Sequence, residues 1–497
     1  DPALTYQITS GSLVNGDSFS GALSRDAGEA VGTYAIKQGT LALNANYALN
    51  YVGANLTITA RPITVTADAK SKVYGDPDPA LTYQITSGSL VNGDSFSGAL
   101  SRVAGEAVGT YAIQQGTLAL NANYALNYVG ANLTINKRGA SVTPDSFTRQ
   151  YSDLNPTFTG TLSGFLASDG VTATYSTAAT PTSAPGTYDI VATLSPTNVL
   201  GNYNITYYKG TLNVTKEDAR VTYTGPLFVT TASATASTVV VPLSATIQDA
   251  TALFVSDPKY DPNPGDIRNA TVSFYNGTTL LCTSQVSLVG PDTKIGTAGC
   301  SFTASAESNY DITITVNNYY SNDGNGDTKV SLEVAYGGGT NFITGGGYIA
   351  VTNSVGQYPA APGTKMNFGF NVKYNKSGKN LQGHANIIYR NGGRVYQIKS
   401  NAIDSLAVDM KDNGDQPPNT ATFISKANLA DVTNPLAPVN LGGSHTLQMS
   451  MVDNGEPGST DTIGFTLSNG GTLLFSSNWN GVKTTEKVVV GGNLVVH

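Results

Sequence analysis

Apolar and polar residues alternate one by one along much of the chain. Residues 63–68 read Ile-Thr-Val-Thr-Ala-Asp, and residues 81–86 read Leu-Thr-Tyr-Gln-Ile-Thr. A period of two is that of a β-strand with one buried face. The 3.6-residue period of an amphipathic helix nowhere persists for two turns. The pattern therefore predicts an all-β fold.

The chain repeats itself. Residues 1–58 return as residues 78–135, displaced by 77 positions. The two copies differ only in Asp26 against Val103 and in Lys37 against Gln114. A third, divergent copy follows in the same register over 137–215. Tandem near-identity is typical of a spacer, which gains length with each copy, and an active site rarely gains from being copied.

Turn residues divide each 77-residue unit into about seven short strands, which predicts a small two-sheet sandwich of immunoglobulin-like size. We expect tandem sandwiches in an elongated rod: an incomplete repeat over 1–59, then repeats over 60–136 and 137–215. The first copy lacks the strand equivalent to 63–68 and the turn at 74–76. Two explanations stay open: the missing strand precedes these residues in a longer chain, or a neighbouring chain supplies it by strand addition.

Several short motifs recur with the repeat. The stretch 72–81 reads Lys-Val-Tyr-Gly-Asp-Pro-Asp-Pro-Ala-Leu; it is followed by Gly-Thr-Tyr at 109–111, Asn-Tyr at 123–124 and Leu-Thr-Ile at 133–135. Over roughly residues 1–215 the chain resembles the bacterial MBG/YDG-type repeat. The resemblance implies a secreted, adhesin-like surface protein without catalysis. In the third copy Ser152 replaces the glycine at position 75, so that turn is expected to differ.

In the segment 216–320, alternating apolar residues around Asn276-Gly277 predict a hairpin with a type I′ turn. The segment resembles the immunoglobulin-like modules of bacterial surface proteins. Cys282 and Cys300 are the only cysteines. A disulfide between them fits an extracellular protein, and two buried reduced thiols are the alternative.

A polar stretch follows and is predicted as a linker over 321–329. Its oxygen-bearing side chains alternate at Asp323, Asn325 and Asp327 and could converge on calcium. The alternative is a flexible acidic linker that binds nothing.

Residues 330–497 are predicted to form one larger β-sandwich domain. Gly-Gly-Gly-Tyr-Ile at 345–349 and the closing stretch 488–497 resemble the post-COAP type of C-terminal domain. No activity follows from that resemblance.

The amino-acid composition narrows the range of functions that the chain can have. Charged residues make up 12% of the 497, about half the usual share. The net charge of −7 is a weak field that argues against nucleic-acid binding. No apolar run approaches the 18–20 residues of a membrane span. Three histidines and two cysteines leave little material for a zinc site or a metal cluster.

Candidate catalytic groups are sparse. The sequence contains no Gly-x-Ser-x-Gly motif, so His384 and His445 have no such nucleophilic serine to activate as a general base. Two carboxylate pairs, Asp404 with Asp409 and Asp412 with Asp415, fit solvated surface acids better than an acid/base pair. Asp76 and Asp78 are weaker calcium candidates still. We expect no enzyme and no cofactor apart from possible calcium.

Two hypotheses remain. The first is an extracellular structural or adhesive protein on the bacterial cell surface, which contacts other copies of itself in a fibre. The second is a glycan- or partner-binding tip carried on a repeat stalk, with Trp479 stacking on a sugar ring. A core position for this lone tryptophan is the alternative reading.

Overall fold

The computed structural model describes residues 1–410, 418–456 and 458–497. The chain divides into two compact units. The N-terminal unit comprises Asp1–Pro144, Thr159–Tyr175 and Val191–Lys209. The C-terminal unit comprises Asp145–Phe158, Ser176–Ile190 and Gly210–His497. The prediction of an all-β, multi-domain fold is confirmed.

The second repeat is a two-sheet sandwich of seven strands, as predicted. They are β4 (Arg61–Ala67), β5 (Lys70–Val73), β6 (Tyr83–Ser87), β7 (Ser101–Arg102), β8 (Gly109–Gln114), β9 (Tyr124–Val129) and β10 (Ala131–Asn136). One sheet has the order β6-β4-β9 and the other β5-β10-β8-β7. The alternation read from the sequence is seen directly in β4, where Ile63, Val65 and Ala67 are buried.

The first repeat keeps only one three-stranded sheet. Its strands are β1 (Ser24–Arg25), β2 (Gly32–Lys37) and β3 (Ala54–Ile58). They correspond to β7, β8 and β10 of the second repeat. The stretches that correspond to β6 and β9 form no strand, because β4, which lies between those two strands and bonds both, has no counterpart here.

The third repeat also has seven strands. They are β11 (Arg138–Pro144), β12 (Phe147–Gln150), β13 (Gly160–Ser163), β14 (Thr172–Thr177), β15 (Gly186–Ser195), β16 (Tyr203–Tyr207) and β17 (Gly210–Thr215). The sheet β13-β11-β16 belongs to the N-terminal unit, whereas β12 and β17 belong to the C-terminal unit, in the sheet β12-β17-β15-β14. The short 3₁₀ turns Ala167–Asp169 and Leu200–Asn202 connect strands.

The turn at Ser152 corrects one expectation. Ser152 adopts a left-handed φ of 71°, close to the φ of 83° at Gly75 in the second repeat. The turn is thus kept despite the loss of glycine. The serine hydroxyl lies 2.7 Å from both the Glu217 carboxylate and the Asn263 carbonyl, contacts that glycine could not make.

The next part of the chain, residues 217–335, forms a further sandwich, which we call the sandwich module. Its strands are β18 (Glu217–Tyr223), β19 (Phe228–Thr230), β20 (Thr238–Asp249), β21 (Ala270–Asn276), β22 (Thr279–Gln285), β23 (Ser287–Leu288), β24 (Ile295–Ser305), β25 (Ser308–Asn318), β26 (Tyr320–Gly326) and β27 (Lys329–Ala335). The sheets have the orders β23-β24-β20-β18-β26 and β19-β27-β25-β21-β22. One helical turn, α1 (Ala250–Leu253), and the 3₁₀ turn Ile267–Asn269 follow β20.

The predicted linker over 321–329 is wrong. Residues 321–326 belong to β26 and residue 329 begins β27, so the sandwich module continues beyond residue 320. The strand β26 pairs with β18, and Asp323 within it bonds Arg220 of β18 at 2.9 Å. A sequence rich in Asn, Asp and Gly can form a strand here because its backbone groups find partners in an existing sheet.

The domain predicted as a β-sandwich over 330–497 is instead built on one large antiparallel sheet within residues 342–497, because residues 330–335 belong to β27 of the sandwich module. Its strands are β28 (Phe342–Ala350), β29 (Lys365–Tyr374), β30 (Leu381–Asn391), β31 (Arg394–Asp409), β32 (Asn419–Asp431), β33 (Val439–Asp453), β34 (Thr462–Asn469), β35 (Thr472–Ser476), β36 (Lys487–Val488) and β37 (Gly491–Val496). The order is β35-β34-β33-β32-β31-β30-β29-β28-β37, with β36 added to β34. Alternate residues of β29, including Met366, Phe368 and Phe370, enter the main core.

This sheet curls so that its two ends meet. β36 pairs with β34, and the next residues reach β28, where Val490 N–H donates to Tyr348 O at 3.0 Å. On the edge of β37 that faces away from β28, the fully buried Asp461 carboxylate accepts a hydrogen bond from Leu494 N–H at 3.1 Å. This side chain takes the place of a backbone partner for that N–H group. Glycines permit the close approach of β28 and β37: a Cβ on Gly347 would lie 2.1 Å from Gly491 O.

Candidate functional site

A cleft of about 680 Å³ lies in the C-terminal unit, between the sandwich module and the C-terminal domain. One wall is formed by β18, β20 and β24, and the other by β33, β34 and the segment 479–486. On β33 and β34 the core-facing residues, such as Met449 and Phe465, alternate with residues that face the cleft. The strand period of two therefore produces a polar wall on the outside of an apolar core.

Hydroxyl and amide side chains dominate the walls. Those from the C-terminal domain include Thr446, Gln448, Ser450, Thr466 and Ser468. Two hydroxyls bond across the cleft: Thr246 Oγ1 donates to Val482 O at 2.5 Å, and Thr297 Oγ1 donates to Gly471 O at 2.9 Å. Such a surface suits a ligand with many hydroxyl groups, since each wall offers donors and acceptors in a concave site.

Trp479 lies at the edge of this cleft and is also a packing residue. It is 8% exposed and contacts Val289 of the sandwich module and Leu473 of β35. Its backbone N–H donates to Asn353 O at 2.6 Å. The ring therefore contributes mostly buried surface at the junction, with only a small part left to contact a ligand.

The lining of the cleft contains few charged side chains. The charged residues are Asp327, Lys483 and Glu486, and the Glu486 carboxylate accepts from Thr462 Oγ1 at 3.0 Å. Tyr223, also in the lining, donates to Pro226 O at 3.0 Å, and burial raises its phenol pKa. The cleft is suited to binding by hydrogen bonds.

The two candidate histidines lie apart. His384 is exposed on β30, and His445 is 5% exposed on β33. Three strand spacings, about 14 Å, separate those strands. Both nitrogens of His445 lack a hydrogen-bond partner among the described residues, and burial lowers its pKa. His445 is thus a buried residue of the C-terminal domain and does not act together with His384.

The first carboxylate pair does not converge. Asp404 lies at a bulge of β31, where burial raises its pKa, and Asp409 is exposed at the end of the same strand. Five residues of strand separate them by about 15 Å, beyond the 5–9.5 Å of a glycosidase pair. Asp412 and Asp415 lie outside the described residues.

The three residues predicted to bind calcium have other contacts. The Asp323 carboxylate pairs with Arg220 and accepts Asn325 N–H at 2.8 Å, and Asp327 N–H donates to Val221 O at 2.8 Å. Across 1–410, 418–456 and 458–497, no group of three or more His, Cys, Asp or Glu side chains is arranged to hold a metal ion. Calcium at Asp323, Asn325 and Asp327 stays a prediction.

Cys282 and Cys300 form a disulfide, as predicted. Cys282 lies on β22 and Cys300 on β24, with their Cα atoms 6.3 Å apart. These strands belong to different sheets, so the bond ties the two layers of the sandwich module together.

A buried acidic network in the sandwich module was missed by the sequence analysis. Glu217 and Asp249 are both fully buried, and the hydroxyl of Thr251 bridges them at 2.7 and 2.9 Å. Burial raises the pKa of Glu217 to about 8, helped by the charges of Asp249 and Asp261. No sequence signal marks Glu217, because its surroundings come from distant strands.

A charge cluster in the second repeat was also missed. Arg102 and Lys72 both bind Asp78 and Glu106, at distances that include 2.6 Å from Arg102 Nε to Asp78 and from Lys72 Nζ to Glu106. Hydrogen bonds from Arg102 and Lys72 lower the pKa of Asp78 to about 2. The sequence contains a signal for this cluster, because Asp78, Arg102 and Glu106 have identical counterparts in the first repeat, at Asp1, Arg25 and Glu29.

Comparison with known protein families identifies the family that the repeats resemble. Residues 1–57, 63–134 and 140–213 are similar to the MBG domain (YGX type). The N-terminal part of the chain therefore consists of MBG-type repeats, as the resemblance predicted. No curated protein matches the chain. No helix among the described residues is long and apolar enough to cross a membrane.

Proposed function

We propose that the chain is a surface-associated structural protein whose tandem modules form a rod or fibre that carries the C-terminal domain. The observation that carries this proposal is the run of three MBG-type repeats, the first two nearly identical. Duplication at this fidelity adds length without adding chemistry.

Other features support the same role. The disulfide between the two sheets of the sandwich module fits an oxidising, extracellular setting, and a bacterial cell surface is the proposed location. The modules at residues 217–335 and 342–497 are proposed to be immunoglobulin-like and post-COAP-like, respectively. We also propose that the chain is not an enzyme.

Electron microscopy of the purified and the native protein tests this proposal. We expect extended particles or filaments with a regular axial spacing, because tandem modules of one size repeat along the chain. Isolated, compact particles in both preparations, at every concentration, would contradict it.

A second candidate function is ligand binding by the cleft. Its volume and its hydroxyl-rich walls favour a glycan as ligand, with the repeats acting as a stalk. The Trp479 variants described in the Discussion distinguish this function from a purely structural one.

A further inference from the structure

We propose that a short turn in each of two repeats selects the module that follows it along the chain. The turns lie at residues 74–76 and 151–153, directly after β5 and β12, and we call them the docking turns. Gly75 fits the first turn to a further repeat, and Ser152 fits the second turn to the sandwich module. The inference goes beyond the proposed function, because it holds for one chain whether or not chains form a fibre.

Each docking turn places a tyrosine against tyrosine rings of the next module. Tyr74 meets Tyr203 of the third repeat edge to face, with the ring centroids 5.5 Å apart. Tyr151 is only 2% exposed and meets the rings of Tyr319 and Tyr320 in the sandwich module at 4.8 and 5.9 Å. The two turns therefore share an aromatic anchor, and they differ in the residue that follows it.

The first docking turn depends on the absence of a side chain at Gly75. A Cβ there would lie 2.4 Å from Leu166 Cδ1 of the third repeat, so Leu166 would have to move away from the turn. Arg138 of the third repeat holds the residues on both sides, because its Nη1 donates to Tyr74 O and to Asp76 Oδ1, each at 3.0 Å. The third repeat is thus shaped to receive the sequence Tyr-Gly-Asp.

The second docking turn depends on the side chain that glycine lacks. The Ser152 hydroxyl lies 2.7 Å from Glu217 Oε1 and 2.7 Å from Asn263 O, and both of these residues belong to the sandwich module. Glu217 is fully buried, so a glycine at position 152 would leave its Oε1 atom without this partner. The sandwich module is thus shaped to receive a hydroxyl group.

A second contact between modules changes together with the turn. Val31 N–H donates to Asn123 Oδ1 of the second repeat at 2.8 Å. In the same way, Val108 N–H donates to Asn202 Oδ1 of the third repeat at 2.9 Å. The 77-residue offset places Pro185 at the corresponding position of the third repeat, and proline has no N–H to donate. The third repeat therefore differs from the second at both contacts, as expected where a different kind of module follows.

Distances between modules of the full chain test the proposal by double electron–electron resonance. One pair of spin labels at Thr110 and Thr206 reports on the second and third repeats. Another pair at Asn213 and Glu333 reports on the third repeat and the sandwich module; all four residues are exposed. Non-natural amino acids carry the labels, so the disulfide stays intact.

Gly75→Ser is expected to broaden the distance distribution of the first pair about twofold, because a module without its docking contact moves more freely. Ser152→Gly is expected to broaden that of the second pair by a similar factor and to leave the first pair unchanged. Gly93→Ser is the matched control: Gly93 has a φ of 77°, close to the 83° of Gly75, but no atom lies within 4 Å of a Cβ built there. This control should leave both distributions unchanged, which separates backbone strain from the contact with Leu166.

A double variant tests the contact itself. Leu166→Ala removes the atoms that a serine at position 75 would meet, so adding Gly75→Ser to Leu166→Ala should cause no further broadening. An unchanged first pair in Gly75→Ser, or equal broadening by Gly75→Ser and Gly93→Ser, would overturn the assignment of Gly75. An unchanged second pair in Ser152→Gly would overturn the assignment of Ser152. Circular dichroism of each variant checks that a broadened distribution comes from a folded chain.

Discussion

Raising the pH from well below 4.5 to well above 8 is expected to lower the free energy of unfolding of the C-terminal unit by about 5 kcal/mol through Glu217 alone. Its folded pKa is about 8, against an ordinary value of 4.5. Between these values the unfolded chain has lost the proton that the folded chain keeps. The free energy of unfolding therefore falls by about 1.4 kcal/mol per pH unit in this window. Below and above the window, Glu217 causes no further change with pH.

The hydrogen bonds explain why the proton is held. The Ser152 hydroxyl has one proton but two acceptors, Glu217 Oε1 and Asn263 O, each at 2.7 Å. A proton on Glu217 lets that carboxyl donate to Ser152 while Ser152 donates to Asn263. Asp249 and Asp261 lie close enough that their charges oppose a further negative charge on Glu217.

Glu217→Gln measures this contribution directly. The amide keeps the shape and a donor but cannot ionise, so we expect this variant to lose the Glu217 part of the pH slope and to exceed the wild type in stability at pH 8. Denaturant titrations at several pH values, followed by the fluorescence of the single tryptophan, provide the comparison. Glu333→Gln, on an exposed position of β27, is the control and should keep the wild-type slope. Parallel slopes for Glu217→Gln and wild type would refute the assignment.

Trp479→Ala is expected to destabilise the C-terminal unit by about 3–5 kcal/mol. The reason is the loss of a large buried side chain from the cluster with Val289 and Leu473, which leaves a cavity that neighbouring residues cannot fill. Calorimetry is suitable, because the substitution removes the fluorescent reporter. A loss below 1 kcal/mol would show that this packing contributes little.

Trp479→Phe separates packing from recognition. An aromatic ring retains most of the buried contact, so this variant should be clearly more stable than Trp479→Ala. If the cleft binds glycans, an array probed with the full chain should show binding that both variants reduce. Binding that tracks only the unfolded fraction of each variant would assign Trp479 to structure alone.

Features repeated along the chain were predictable. The 77-residue offset and the period-two alternation gave the repeats, their seven strands and the incomplete first copy, because both signals are local or periodic. The disulfide was predictable because Cys282 and Cys300 have no other cysteine to pair with.

Features that depend on long-range pairing were not predictable. The stretch 321–329 looks like a linker, because its Asn, Asp and Gly residues favour turns, and it becomes strand only beside β18. The same holds for Glu217, whose burial depends on Ser152 and Thr251 from other elements. The cleft is formed by strands more than 100 residues apart in sequence.

Pulling single molecules from both ends tests most directly whether these modules are separate mechanical elements with their own cores. We expect several distinct unfolding events, since each module has its own sheets. Reduction of the Cys282–Cys300 bond should lengthen the extension of one event by about 60 Å, the reach of the 18-residue separation that it closes. One cooperative event for the whole chain, unchanged by reduction, would contradict the account.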